Sequence, residues 1–450
     1  MNKIKQIGSK VRGSFWFLPT LIVASSIALA LGLIEADSSG SREWMENWPR
    51  LFGASAAGSR EMLSTIAGSM MTVVGVTFSM TLMTLALASS QYTSRILRNF
   101  MRDRVTQIVL GIFAGVFTYS LIVLRTIRGG EEGEFIPSLS VAVSMVLAIG
   151  GIGALIYFIH HIAASIQASS IIASVAAETL VVVNRLFPEK PGHGPGNDDE
   201  DQSTPAIPEP VWQNVAAPKD GYIQSVDGDA LVRLARKHET VVRMERGIGE
   251  FVVKESTLAS VSLPVQPDKK LVAAVQSAYS IGRYRTVEQD AGFGIRQIVD
   301  MALRALSPSS NDTTSAVMCV DYLAAILSRL TVRDIPSSHR YEKSKLRMIA
   351  LGPTFAVLVA ESFDQIRCSA DDNAVLLIRL LDALETIDRF TTCESRRQVL
   401  REQMQYNAEV ADRTIKSPQA RTRFENRLAQ VRRGFEAAPP STQDRTEKPS

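Results

Sequence analysis

Four stretches of this 450-residue chain, 15–34, 65–88, 105–124 and 137–162, stay apolar for about 20 residues, the length an α-helix needs to cross the hydrocarbon of a bilayer. Backbone N–H and C=O groups find no water there, so each stretch is predicted to be a transmembrane helix. Nothing else in the sequence restricts the fold as much. The long apolar runs crowd into the first 190 positions, and the remainder reads as a charged, water-facing protein. The first stretch is expected to be retained rather than cleaved. Its apolar core is too long for a signal, and Leu33-Ile34-Glu35 offers no small-x-small cleavage site.

Orientation follows from the basic residues of the short flanks. Lys3, Lys5, Lys10 and Arg12 precede the first span, and Arg95, Arg98, Arg102 and Arg104 separate the second from the third. The loop after the first span is acidic on balance, and Glu131, Glu132 and Glu134 outnumber Arg125 and Arg128 after the third. Every loop agrees with both termini on the cytoplasmic side. Trp44 and Trp48 suggest a short outer segment lying at the interface.

The second span is unusually rich in hydroxyls. At 100° per residue, Thr77, Thr81, Thr84, Ala88 and Gln91 fall on one stripe, with Thr65, Ser69, Thr72, Val76 and Ser79 beside it. Small and hydroxylated residues let helices approach closely, and their hydroxyls can bond back to carbonyls of their own helix. The competing reading is a water-lined path, in which hydroxyls from several subunits replace part of an ion's hydration. The density of Thr on one stripe favours a pore lined by Thr77, Thr81 and Thr84, with Gln91 and Arg95 at its cytoplasmic mouth. No Asp, Glu, Lys or Arg lies at mid-depth in any of the four spans, which argues against a proton-coupled pump.

Gly111 and Gly115 give the third span a GxxxG spacing suited to close packing, with Tyr119 one turn further on. The fourth span ends near His160 and His161. Adjacent histidines point to different helix faces, so they are candidates for a pH-responsive gate, or for snorkelling at the interface, but not for a metal site. An amphipathic stem is expected over 165–187, with Ile166, Ile171, Val175, Leu180, Val183 and Leu186 on its apolar face.

Residues 188–210, rich in Pro, Gly and acid, read as a flexible linker. The period then changes to that of strands, and 211–265 is predicted to form a small β module with a turn at Gly249-Glu250. Its tail, GEFVVKESTLASV, resembles the hairpin of biotinyl and lipoyl domains. Glu255 stands where that pattern has its second Gly and Lys254 is out of place for modification, so the resemblance implies an unmodified module. A mainly helical domain is expected over 266–436, interrupted by one strand at 343–352, with a disordered tail at 437–450.

Arg283, Arg285, Glu288, Gln289, Asp290, Arg296, Asp300, Arg304, Asn311 and Asp312 make 283–312 dense in charge. Arg296, Asp300 and Arg304 recur every four residues, the spacing of an ion-pair ladder on one helix face. The alternative is a site for a small anionic effector, with Arg283 and Arg285 as donors and Asp290, Arg296, Asn311 and Asp312 nearby. Asp312 and Thr313 are expected to cap the following helix. No Walker loop, HExxH, GxGxxG or nucleophile–base constellation accompanies these residues, so no enzyme, cofactor or metal is expected. Cys319, Cys368 and Cys393 have neither zinc nor disulfide spacing, and a net charge of +3 is too small to argue for nucleic acid.

Three blocks, FSMTLMTLALASSQYTSRILRNFMRDRVTQIVLGIFAGVFTYSLIVLR, FIHHIAASIQ and RTVEQDAGFGIRQIVDMALRALSPSSNDTTSA, resemble the signature blocks of an uncharacterised bacterial membrane protein family, domain-of-unknown-function family 2254. The resemblance covers roughly 10–430 and implies an integral membrane protein with a cytoplasmic C-terminal region, but no activity. The fold class expected is therefore an α-helical integral membrane protein of four transmembrane helices (1–164), followed by a cytoplasmic α+β region with a small β module and a helical bundle. The function expected is a homo-oligomeric channel-like or ligand-gated pore. The alternative is a non-conducting scaffold or signalling protein that recruits a cytoplasmic partner.

Overall fold

The computed structural model describes residues 16–39, 55–91, 103–128, 135–165, 167–187, 211–342 and 344–436, with 87–91 described by backbone only. Two compact units divide the chain, Met1–Ser170 and Ile171–Ser450. The expected linker at 188–210, the tail at 437–450 and the interfacial segment around Trp44 and Trp48 lie outside the described residues.

The first unit contains α1 (Phe17–Ser38), α2 (Ala56–Gln91), α3 (Arg104–Thr126) and α4 (Ser138–Ser165). Helix α3 packs against the other three and is the most buried of them. Its two glycines explain how. A Cβ on Gly111 would lie 2.7 Å from Ile22 Cδ1 and 3.0 Å from Pro19 Cα, and one on Gly115 would lie 2.5 Å from Ser26 Oγ. Polar contacts then pin the helix ends. At one end, the Asp37 carboxylate accepts from the backbone N–H groups of Leu139 (3.1 Å) and Ser140 (3.0 Å), where the helix dipole of α4 favours negative charge. The Tyr119 hydroxyl donates to Ser140 O at 2.9 Å, and Arg60 donates to Ile127 O at 2.7 Å.

Helix α5 (Ala168–Leu186) begins after a bend rather than continuing α4, contrary to the uninterrupted stem expected from the sequence. From there the second unit alternates strands and short helices: β1 (Trp212–Ala216), β2 (Gly221–Val226), α6 (Gly228–Lys237), β3 (Val242–Met244), β4 (Phe251–Val252), β5 (Thr257–Ser262), α7 (Lys269–Ser277) and β6 (Tyr279–Gly282). After a single 3-10 turn come α8 (Ala291–Ala305), α9 (Thr313–Thr331), β7 (His339–Glu342) and β8 (Lys345–Ile349), then α10 (Phe355–Cys368), α11 (Ala374–Asp388), α12 (Glu394–Thr414) and α13 (Pro418–Glu436).

The β region is larger than the expected module over 211–265. A five-stranded sheet runs β1-β5-β3-β8-β7 and a three-stranded one runs β4-β2-β6, so strands from 279–282 and 339–349 join it. The three residues of β3 pair with β5 on one side and with β8, in parallel, on the other. A local reading could not see that partner, about 100 residues away in the chain. The strand expected over 343–352 shortens to β8, because Ser344 (φ +62°) makes the turn of a β7–β8 hairpin. Val215, Ile223, Leu231, Val242, Leu258, Val261 and Val275 fill the core between sheets and helices. Six helices of this unit start on side-chain caps, Asp227, Asp268, Asp290, Asp312, Thr354 and Asn373.

Among the described residues, six helices are long and apolar enough to cross a membrane, against the four expected: Phe17–Ser38, Ala56–Ala86, Arg104–Thr126, Ser138–Ser165, Ala168–Leu186 and Thr313–Thr331. The two additions escape a search for near-continuous apolar runs because polar residues interrupt them. Both are one-sided: α5 buries Ile171, Ile172, Val175, Thr179, Val182 and Val183, and α9 buries Cys319, Val320, Leu323, Leu327 and Leu330.

Two stability predictions follow from backbone geometry. Gly111→Leu is expected to destabilise the first unit by about 1–3 kcal/mol through overpacking, measured as a lower unfolding midpoint in detergent. Glu255 occupies the left-handed region (φ +70°), which favours glycine. Glu255→Gly is expected to stabilise the second unit by about 1 kcal/mol in thermal unfolding.

Candidate functional site

The charge-dense segment 283–312 folds so that Asp290 becomes the N-cap of α8, its Oδ1 accepting from the Phe293 N–H at 2.9 Å. Its other oxygen accepts from Arg285 Nε at 3.0 Å and Nη2 at 2.8 Å, a two-pronged ion pair in which the carboxylate is almost wholly buried. The Arg285 guanidinium also stacks over Phe293, 5.2 Å from the ring centroid. Burial pushes the Asp290 carboxyl above its usual range, and neither Arg285 nor the Phe293 N–H offsets that fully.

The turn between β3 and β4 closes over this pair. Gly249 adopts φ +87°, and a Cβ there would collide with Asp290 Oδ2 and lie 2.7 Å from Arg285 Nη2. Gly292, in the first turn of α8, brings a second carboxylate close: a Cβ there would lie 3.1 Å from Glu361 Oε2 and 3.4 Å from Asp290 Oδ1. Glu361 sits on the exposed side of α10, yet partial burial raises its carboxyl. Arg285 opposes that rise, Asp290 adds to it and Arg296 opposes it. Two carboxylates and two guanidiniums thus share one helix start.

Helix α8 is also seated on α5. A Cβ on Gly294 would collide with the side chain of Thr179, so only glycine lets the two helices meet there. Arg333 holds the far end of α5, donating to Phe187 O at 2.6 Å and Asn184 O at 3.3 Å. The fully buried Arg396 in turn donates to the carbonyls of Leu330, Thr331 and Arg333 at 3.0–3.1 Å.

The other charged candidates separate. Arg296 pairs with Asp300 at 2.9 Å, the first rung of the expected ladder. Arg283 is exposed, while Arg285, read with it as an effector donor, is committed to Asp290. Asn311 takes a left-handed conformation (φ +43°) just before α9, and Asp312 caps that helix through the Ser315 N–H at 3.0 Å.

In α2, Thr77 and Thr84 are buried within the first unit and Thr81 is half-buried. Thr81 and Thr84 donate their hydroxyls to Thr77 O and Met80 O at 2.8 Å, and Thr72 donates to Gly68 O at 3.0 Å. Gln91 is the last residue of α2, and Arg95 lies outside the described residues. The exposed face of α2 carries Met71, Val76, Phe78, Leu82 and Met83. The two histidines part company: His160 is exposed, and His161 Nε2 lies 2.9 Å from Asp103 Oδ2. Asp103 also caps α3 through Val105 N and Thr106 N, so one carboxylate ties the start of α3 to the end of α4. Among the described residues no group of three or more His, Cys, Asp or Glu could hold a metal ion.

Comparison with known sequences places this architecture. The profile of a family described as "Predicted membrane protein (DUF2254)" matches residues 12–386. The chain belongs to that family. It is 32% identical, over 455 aligned residues, to uncharacterized proteins of Mycobacterium tuberculosis strains H37Rv and CDC 1551 and of Mycobacterium bovis. Each alignment takes in 98% of this chain and 85% of the relative. No solved structure matches the chain. Family membership and the helices together make it a membrane-associated, multi-pass protein of unknown function.

Several of the residues that build these sites gave no sign in the sequence of the distant partners they meet. Gly249 and Glu361 reach the Asp290 pair from about 40 and 70 positions away, and Asp37 and Asp103 meet Ser140 and His161 across 103 and 58 positions. The cap on α9 yields a prediction with a definite sign. Hydrogen bonds from the Ser315 hydroxyl and backbone hold the Asp312 carboxyl below its ordinary value, so its stabilisation is present above that range and lost as pH falls through it. Asp312→Ala is expected to cost about 1 kcal/mol at pH 7, with the difference from wild type shrinking below pH ~4 in pH-dependent denaturation.

Proposed function

We propose that this protein is a non-enzymatic scaffold or signalling protein of the bacterial inner membrane. In this reading α1–α4 span the bilayer, both termini are cytoplasmic, and the second unit receives a small anionic effector or a cytoplasmic protein. The observation that carries it is the double duty of α8. Its N-cap bears the Arg285–Asp290 pair, and Gly294 at the close of its first turn rests on Thr179 of α5, the helix that follows α4 in sequence. A change at the ion pair therefore has a packed route to the stem, as a two-state element requires.

The geometry of α2 supports a non-conducting bundle over a pore. Hydroxyls bonded to their own helix need no ion or water, and a buried threonine face serves close packing. A homo-oligomeric pore remains the second reading, favoured by Thr77, whose buried hydroxyl has no hydrogen-bond partner in the first unit.

Asp290→Asn is expected to raise amide hydrogen exchange about ten-fold in the first turns of α8 and also in α5, while leaving α13 unchanged, because it weakens a charged hydrogen-bond pair. A change confined to 285–295 would remove the coupling. The purified protein in liposomes is expected to pass no more ions than empty liposomes. A conductance abolished by Thr81→Leu would install the pore in its place.

A further inference from the structure

Away from the Asp290 site, the second unit gathers cations from two distant segments onto one surface. Helix α6 presents Arg233, Arg236 and Lys237 on its exposed side, at the i, i+3, i+4 spacing of one face. It packs against β8, and Arg236 Nη1 pairs with Glu342 Oε1 at 3.1 Å, tying the helix to the β7–β8 hairpin across 106 residues of chain. The described residues of the hairpin set Arg340, Lys345 and Arg347 against the single acid Glu342. Arg340 and Lys345 are exposed, and Tyr341 between them leaves 46% of its surface in solvent. Asp227, Asp229 and Glu239 are the acids of the α6 segment, and with Glu342 they are outnumbered by Arg233, Arg236, Lys237, Arg340, Lys345 and Arg347, so the combined surface stays basic although the whole chain is nearly neutral.

We propose that this surface docks on anionic phospholipid headgroups of the membrane in which the chain's own helices sit. The charge is complementary: basic segments near such a membrane gain attraction from each Lys or Arg that reaches its surface. The aromatic residue fits as well, since a tyrosine ring with its hydroxyl suits the headgroup level better than either water or hydrocarbon. Tethering adds to this, because a unit joined to multi-pass helices explores the bilayer surface at high effective concentration. Charged side chains along an edge strand also deter sheet-to-sheet association, and β7 is an edge strand. That role accounts for neither the cations of α6 nor the exposed tyrosine.

The test uses the full-length chain with Cys368→Ser and Cys393→Ser, Cys319 being buried. A polarity-sensitive fluorophore is attached at Ser344→Cys in the hairpin turn, and the protein is placed in nanodiscs. Phosphatidylglycerol-containing discs are expected to give a blue-shifted emission that pure phosphatidylcholine discs do not, and about 0.5 M salt is expected to reverse it. Arg340→Ala or Lys345→Ala should each lower the docked-to-free ratio about five-fold. Lys345→Arg should retain it, with unchanged unfolding curves as the control for folding. Identical emission in both kinds of disc overturns the proposal in favour of simple edge protection. A response to added oligonucleotide or polyglutamate in neutral discs, with none to anionic lipid, overturns it in favour of that partner.

Discussion

Between helices in a bilayer there is no hydrophobic drive, because lipid tails solvate apolar side chains as well as another helix does. What holds the first unit together must therefore be close backbone approach and polar contacts, and both converge on α3. Gly111 and Gly115 bring its backbone against Pro19, Ile22 and Ser26 of α1. That contact leaves Phe113, Val116, Tyr119 and Val123 to bury themselves among the remaining helices. Asp37 at one end of the bundle and Asp103 at the other each spend a carboxylate on the N-terminus of a helix.

The second unit solves a different problem, since it must satisfy the backbone groups of many helix ends packed inside it. Buried arginines do this at C-termini. Arg333 takes the last carbonyls of α5, Arg396 those of α9, and Arg397 reaches Phe435 O near the end of α13 while pairing with Asp388 at 2.8 Å. A guanidinium has five donors in a fixed plane and is always charged, which suits it to several carbonyls at once. Removing one such arginine would strand buried carbonyls, so these residues rank with the apolar core in holding the fold. Arg333 also fastens the end of the stem helix to the segment that follows α9.

The candidate site was half legible in the sequence. The density of charge at 283–312, the cap at Asp312 and the Arg296–Asp300 spacing could all be read because each depends on neighbours within one or two helical turns. The partnership of Arg285 with Asp290 could not, and it reverses the reading of Arg285 as a free donor. The same holds for the hydroxyl stripe of α2. Its composition was visible, but whether a threonine meets water, a neighbour or its own carbonyl depends on helix packing and side-chain rotamer.

Periodicity and apolar length by themselves determined that the chain has several helices able to cross a membrane, a helical stem beyond the fourth and a mixed α/β region afterwards, because those features follow from local backbone chemistry. Tertiary structure alone decided which glycines are contacts, which acids are caps and which distant strands complete a sheet. Each of those outcomes rests on two segments far apart in the chain arriving within a few ångströms, and no local pattern encodes that meeting. The β3–β8 pairing, the Gly249 turn over Asp290 and the union of α6 with the β7–β8 hairpin are all of this kind.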